Sequence, residues 1–252
     1  MQISLFDIPN WVIMKCMTSK FRTKIFADGA NLSDIAILAK DPLISGFTTN
    51  PTLMRSAGVQ DYLSFSREVI KIIGARPISL EVFADETSEM IRQGELLHKL
   101  GSNVFVKIPI TNTEGVSTSR VVQALSSQGI QVNVTAIFTV DQANKILDSL
   151  QGDTNFYLSI FAGRIADAGV NPVPIIKQTV AMLSEFGSGE VIWASPREVY
   201  NLVEADNSGC QIITMTRELI SKLSGLGKDL DLFSLETVKM FANDARTAGY
   251  IL

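Results

Sequence analysis

A chain of 252 residues, 46% hydrophobic and 19% charged, has the material for a sizeable core and excludes an intrinsically disordered protein. Its net charge of -4 argues against non-specific nucleic-acid binding, which leans on a basic face, though it leaves room for a local anion site. The two cysteines, Cys16 and Cys210, lack metal-ligand spacing and fit a reducing cytoplasm better than a disulfide framework.

No apolar run approaches the roughly 18 residues of a membrane span, so neither a membrane nor a nucleic acid is an expected partner. The N-terminus has a short apolar patch, WVIM, without a basic region before it or a small-residue cleavage site after it. Residues 1–23 therefore read as an N-terminal extension of the mature chain, and residues 24–252 as one domain.

From Lys24 onward the chain alternates strands and helices. The predicted strands are KIFAD (24–28), ISGFT (44–48), PISLEVF (77–83), NVFVKIPI (103–110), QVNVTAIF (131–138), NFYLSIF (155–161), EVIWAS (190–195) and QIITMT (211–216). Most are continuous apolar runs, as expected of strands covered on both faces. Helical spacing is predicted over 86–100, 113–127, 141–150 and 174–186, with starts at Thr113-Glu114 and Thr139. A further helix is expected to begin near Pro196.

Eight βα units in a chain of this length predict an α/β fold, a single (β/α)8 TIM barrel of parallel strands. A doubly wound open sheet is the competing architecture, but no GxGxxG follows any strand. SGLGK (224–228) lacks the spacing of a phosphate loop and reads as a connection between helices.

In a barrel, function belongs at the C-terminal ends of the strands. Asp28, Thr48-Thr49-Asn50, Glu81, Lys107, Asn133 with Thr135, Ser159 and Ser195 all fall there. Lys107 is either an edge lysine snorkelling to solvent or an amine directed into the barrel, where desolvation favours the neutral nucleophile. Asp28 suits a turn or a proton acceptor. Glu81, inside an apolar run, needs a cationic partner or a catalytic use. Arg164, Ser195 and Arg197 form a candidate anion site near the last strands, where barrels often hold phosphate. His98 reads as structural or surface, and neither a metal nor a cofactor is expected.

Taken together, GFTTNPTL (46–53), NVFVKIPIT (103–111), NVTAIF (133–138), SIFAGRIAD (159–167) and ASPRE (194–198) resemble the transaldolases and the related fructose-6-phosphate aldolases. The resemblance implies a Schiff base between Lys107 and a ketose phosphate. Asp28 would take the C4 hydroxyl proton, and Glu81 would act with Thr135 through a water. It also implies that Asn50, Asn133 and Ser159 hold hydroxyls of the three-carbon unit, and that Arg164, Ser195 and Arg197 hold the phosphate.

The aldolase branch of the family has Gln at the position of Glu81 and Tyr at that of Phe161, and lacks Asn133 and Ser159. The chain is therefore expected to transfer dihydroxyacetone between sugar phosphates, as in the cytoplasmic pentose phosphate pathway. An aldolase-type lyase, or a transaldolase for a modified sugar, is the alternative. Asp28-Gly29-Ala30-Asn31 and Pro196 depart from the family pattern. The resemblance also suggests a homo-oligomer, with Leu232, Phe233, Leu235, Val238 and Phe241 of the last helix packing on a neighbour or on their own barrel.

Overall fold

The computed structural model describes residues 21–251, so Cys16 and most of the N-terminal extension lie outside the described residues. Residues 21–221 form one compact unit, and residues 222–251 belong to a second.

The first unit is a closed barrel of eight strands paired in sequence order, β1 closing on β8, every pairing parallel. The strands are β1 Lys24–Asp28, β2 Ile44–Thr48, β3 Ile78–Glu81, β4 Val104–Pro109, β5 Val132–Ile137, β6 Phe156–Ile160, β7 Glu190–Trp193 and β8 Ile212–Thr216. Each lies within its predicted run and is shorter at one or both ends where the run passes into a loop, or matches it outright. The helices are α1 Leu32–Leu38, α2 Pro51–Ser56, α3 Tyr62–Ile73, α4 Thr87–His98, α5 Ser119–Ser126, α6 Val140–Leu147, α7 Ala162–Asp167, α8 Val173–Phe186, α9 Tyr200–Asn207 and α10 Arg217–Lys222. The (β/α)8 barrel is thus the observed fold.

Local chemistry accounts for several boundaries. Thr139 starts α6 through a reciprocal capping box with Gln142. Asn31 and Asp61 cap α1 and α3 by accepting from backbone N–H groups two or three residues on.

Two predicted helix starts are displaced. The helix expected from Thr113 begins at Ser119. Asn112 accepts from the N–H groups of Glu114 and Val116, Gly115 sits at φ 81°, and Thr111 bridges Ser117, so turn chemistry captures 111–118 first. The helix expected near Pro196 begins at Tyr200, because Asn201 caps the N–H groups of Arg197 and Glu198. No free helix N-terminus is therefore presented at Ser195.

The period of two along each strand stacks two kinds of residue inside the barrel. The lower layer is apolar: Phe26, Phe105, Tyr157, Ile192 and Ile212 pack together. Tyr157 stacks on Phe105 at 4.0 Å between ring centroids and meets Phe26 edge-on at 5.8 Å. Gly46 makes this plug possible, since a Cβ there would lie 2.6 Å from the Phe26 ring. Two residues further along their strands stand Asp28, Lys107, Ser159, Ala194 and Thr214. The aromatic floor closes the barrel directly beneath a polar mouth.

In the second unit, Asp229 caps α11 (Leu230–Ala248) by accepting from the Leu232 N–H at 3.0 Å, and Gly249 ends the helix at φ 69°. Lys228 pairs with Glu236 at 2.6 Å. No helix among the described residues is long and apolar enough to cross a membrane.

Candidate active site at the barrel mouth

Lys107 is buried, with 6% of its surface exposed, so it does not snorkel. Its Nζ lies 3.0 Å from Glu81 Oε2 and donates to the Thr49 carbonyl at 2.9 Å. The parallel register of β3 and β4 sets Glu81 beside Lys107, and both side chains point inward from neighbouring strands. The cation that Glu81 requires is thus the candidate nucleophile itself. The Tyr62 hydroxyl donates to the Glu81 carbonyl at 2.8 Å and steadies that strand end, and burial beside the Glu81 charge raises the phenol's pKa.

The TTNP segment has a distinct local task at each position. Thr48 Oγ1 donates to Asp28 Oδ1 at 2.7 Å, and Thr49 offers its carbonyl to Lys107. Asn50 caps α2 by accepting from the Leu53 N–H at 3.0 Å, with Pro51 at the first helical position where its missing N–H costs nothing. Asp28 itself caps no helix. Burial raises its pKa, opposed by the Lys107 charge and by the Thr48 hydrogen bond.

Lys107, Asp28, Glu81, Asn50, Thr135, Ser159, Phe161, Arg164, Ser195 and Arg197 line one cavity of about 480 Å³. The Thr135 hydroxyl is buried there without a hydrogen-bond partner. Ser159 Oγ donates to Asn133 Oδ1 at 2.7 Å, leaving its lone pairs toward the cavity. Asn133 does not line the cavity. It is fully buried, and its amide nitrogen donates to Ser79 Oγ at 2.8 Å. Among the sequence-predicted site residues it alone stands behind another polar side chain instead of at the cavity surface.

The anion end is built by close backbone approach. A Cβ on Gly163 would sit 1.6 Å from the Ser195 carbonyl oxygen, so only glycine lets α7 reach the end of β7. Ser195 takes φ 59° and Ala136, at a break in the β5–β6 register, takes φ 58°. Two non-glycine residues in the left-handed region thus border the same cavity, where such strain tends to gather. The Arg164 guanidinium lies over the Phe161 ring at 5.5 Å from its centroid. Arg197 pairs with Asp167.

A family model described as Transaldolase/Fructose-6-phosphate aldolase matches residues 25–250. The chain belongs to this family. It is similar to a probable transaldolase of Lactiplantibacillus plantarum, 38% identical over 79% of this chain and 88% of the relative. A probable transaldolase 2 of Listeria monocytogenes is 35% identical over 84% and 97%. A probable transaldolase of Dehalococcoides mccartyi is 33% identical over 79% and 89%.

In this transaldolase/aldolase family member, residues that the sequence did not single out also make contacts at or beside the mouth. Thr214 touches Thr48 hydroxyl to hydroxyl at 2.5 Å and so extends the hydrogen-bonded chain from Asp28. The alternation of Thr214 and Thr216 at the end of β8 was the available signal. Tyr62, Gly163 and Asp167 carried no strand-end signal, because they sit on helices and reach the site only through packing.

The remaining candidates stand apart from the mouth. His98 closes α4 and does not line the cavity. Cys210 is buried, its thiol pushed up to about 12 by burial, which leaves it unreactive. Among the described residues no group of three or more His, Cys, Asp or Glu side chains is placed to hold a metal.

Proposed function

We propose that the chain is a transaldolase that moves a dihydroxyacetone unit between a ketose phosphate, fructose 6-phosphate or sedoheptulose 7-phosphate, and an aldose phosphate through an imine on Lys107. The observation that carries this reading is the Lys107 amine, held between Glu81 and the Thr49 carbonyl in a cavity it shares with Asp28.

In this mechanism the Lys107 ammonium passes a proton to Glu81, and Nζ attacks the ketose C2. Water leaves the carbinolamine to give an iminium. A water held between Glu81 and the free Thr135 hydroxyl shuttles the protons of these steps. The C3–C4 bond then breaks as Asp28 takes the C4 hydroxyl proton. Its electron pair enters the iminium, forming an enamine, and the aldose phosphate departs. Addition to an acceptor aldehyde reverses these steps. Ser159, held by Asn133, and the amide nitrogen of Asn50 would orient the hydroxyls of the three-carbon unit. Arg164, Ser195 and Arg197 would take the phosphate. Phe161 offers no hydroxyl to order a hydrolytic water, which favours transfer over release of free dihydroxyacetone.

The test is borohydride trapping with fructose 6-phosphate, followed by assay of that donor with and without erythrose 4-phosphate. A mass adduct on the peptide containing Lys107 and acceptor-dependent turnover are expected. A folded protein that gives no adduct rules the reading out, and acceptor-independent dihydroxyacetone makes the enzyme a lyase.

Asp28→Asn separates the steps. Cleavage should fall by about 10²- to 10⁴-fold while imine trapping with dihydroxyacetone persists, because Asp28 acts after the imine forms. Its effect on stability has a definite sign. The pKa of Asp28 is raised on folding, so its contribution to stability is present below the unfolded value of 3.8 and is lost as pH rises through the folded value. At neutral pH the variant should therefore be more stable than wild type. The gain should shrink as pH falls toward 4. Thermal melts across pH check both, and a variant less stable than wild type at pH 7 contradicts the account.

A further inference from the structure

Arg197 is held at both ends. Its backbone N–H, with that of Glu198, is bound by Asn201 Oδ1, at 2.7 Å and 3.2 Å. Asn201 is itself fixed by its amide nitrogen donating to Glu204 Oε2 at 2.8 Å. At the other end the guanidinium forks onto Asp167: Nε donates to Oδ1 at 3.1 Å and Nη2 to Oδ2. A guanidinium carries five N–H donors in a rigid plane, so this fork leaves both Nη1 hydrogens and one on Nη2 unused. Arg197 lines the cavity, beside Ser195 and Arg164.

About half of each side chain in the Arg197–Asp167 pair is exposed, 50% and 53%. Such pairs contribute little to stability, so stability does not account for the arrangement. Orientation does. Two contacts on one edge of a planar group set the direction of the other edge, before any ligand arrives. Asp167 lies in α7, the same short helix that carries Arg164, so one element supplies both a cation and the anchor of the second.

We propose that Asp167 is a positioning residue that holds Arg197 as one arm of a preset anion clamp, and so sets the preference for phosphorylated over unphosphorylated sugars. This rests on the reading of the cavity as a sugar-phosphate site. Both carboxylate oxygens of Asp167 are turned to Arg197, so its charge is largely met there and does not oppose the incoming phosphate.

The test uses the whole chain with Asp167→Asn, Asp167→Glu, Arg197→Ala and the Asp167→Asn/Arg197→Ala pair. Asp167→Asn should raise KM for erythrose 4-phosphate about 5-fold, leaving kcat and the KM for unphosphorylated erythrose unchanged. Asp167→Glu should restore most of the loss. On the Arg197→Ala background, Asp167→Asn should add nothing, because the group it positions is gone. Calorimetry with inorganic phosphate reads the same clamp without any turnover, and binding should weaken in parallel. Unchanged or tighter phosphate binding in Asp167→Asn overturns the proposal, as does an equal loss with both acceptors. A wild type that binds phosphate through this clamp but transfers no sugar would sink the transaldolase reading and leave the clamp standing.

Discussion

Lys107→Met should abolish the trapped adduct and lower transfer by at least about 10⁴-fold, since among the described residues no other lysine lines the cavity. The same substitution carries a structural cost that activity alone would not disclose. It removes the cation 3.0 Å from Glu81 and the donor to the Thr49 carbonyl. The two side chains of the pair are only 7% and 15% exposed, so water screens the orphaned carboxylate poorly. Removing one partner of such a pair costs about 3 kcal/mol, or a melting point roughly 6 to 12 °C lower in a domain of this size. Adding Glu81→Gln should recover most of that stability and none of the activity. Thermal melts of the single and double variants, together with borohydride trapping, separate the two roles. A single variant as stable as wild type would mean that the pair is solvated or open in solution.

Gly163→Ala should be the most damaging methyl group in the molecule's upper face. The added Cβ would lie 1.6 Å from the Ser195 carbonyl oxygen and 2.7 Å from its carbon. These are backbone atoms with no rotamer to escape into, and Ser195 is already at φ 59°. Either α7 moves out or the end of β7 moves away. Overpacking of this kind costs about 1 to 3 kcal/mol, or roughly 2 to 12 °C in melting temperature. Arg164 stands one residue along α7 and Arg197 two residues beyond Ser195, so the displacement parts the two arms of the anion site. KM for phosphorylated substrates should rise about 10-fold or more, whereas trapping by saturating dihydroxyacetone, which has no phosphate, should survive. Equal damage to both would place the lesion at Lys107 instead.

Gly46 and Gly163 illustrate the same physical device at two depths. At Gly46 the absent Cβ admits the Phe26 ring, a side chain, and closes the barrel below the amine. At Gly163 it admits a backbone and shapes the opposite end of the cavity. Between them they close the barrel below Lys107 and shape the end of the cavity where Arg164, Ser195 and Arg197 stand.

Much of this architecture was legible in the residues alone. Continuous apolar runs mark strands buried on both faces, and the polar residues ending seven of the eight runs mark one mouth, because a parallel barrel turns all strand ends the same way. Lys107, Glu81, Asp28, Arg164 and Arg197, all named from the sequence, line one cavity. Two helices start later than predicted, at Ser119 instead of Thr113 and at Tyr200 instead of near Pro196, because Asn112 and Asn201 bind nearby backbone N–H groups and the chain turns before it coils.

The set of strands, their order and the polar groups gathered at the barrel mouth can be read from the residues, since these depend on period and on short-range chemistry. Which partners those groups meet depends on how the barrel is assembled. The register of β3 against β4 joined Glu81 to Lys107, ring closure brought Thr214 to Thr48, and the approach of α7 to β7 allowed Asp167 to take hold of Arg197. Those contacts span many residues of chain, and no local pattern records them, because they exist only once the barrel has closed.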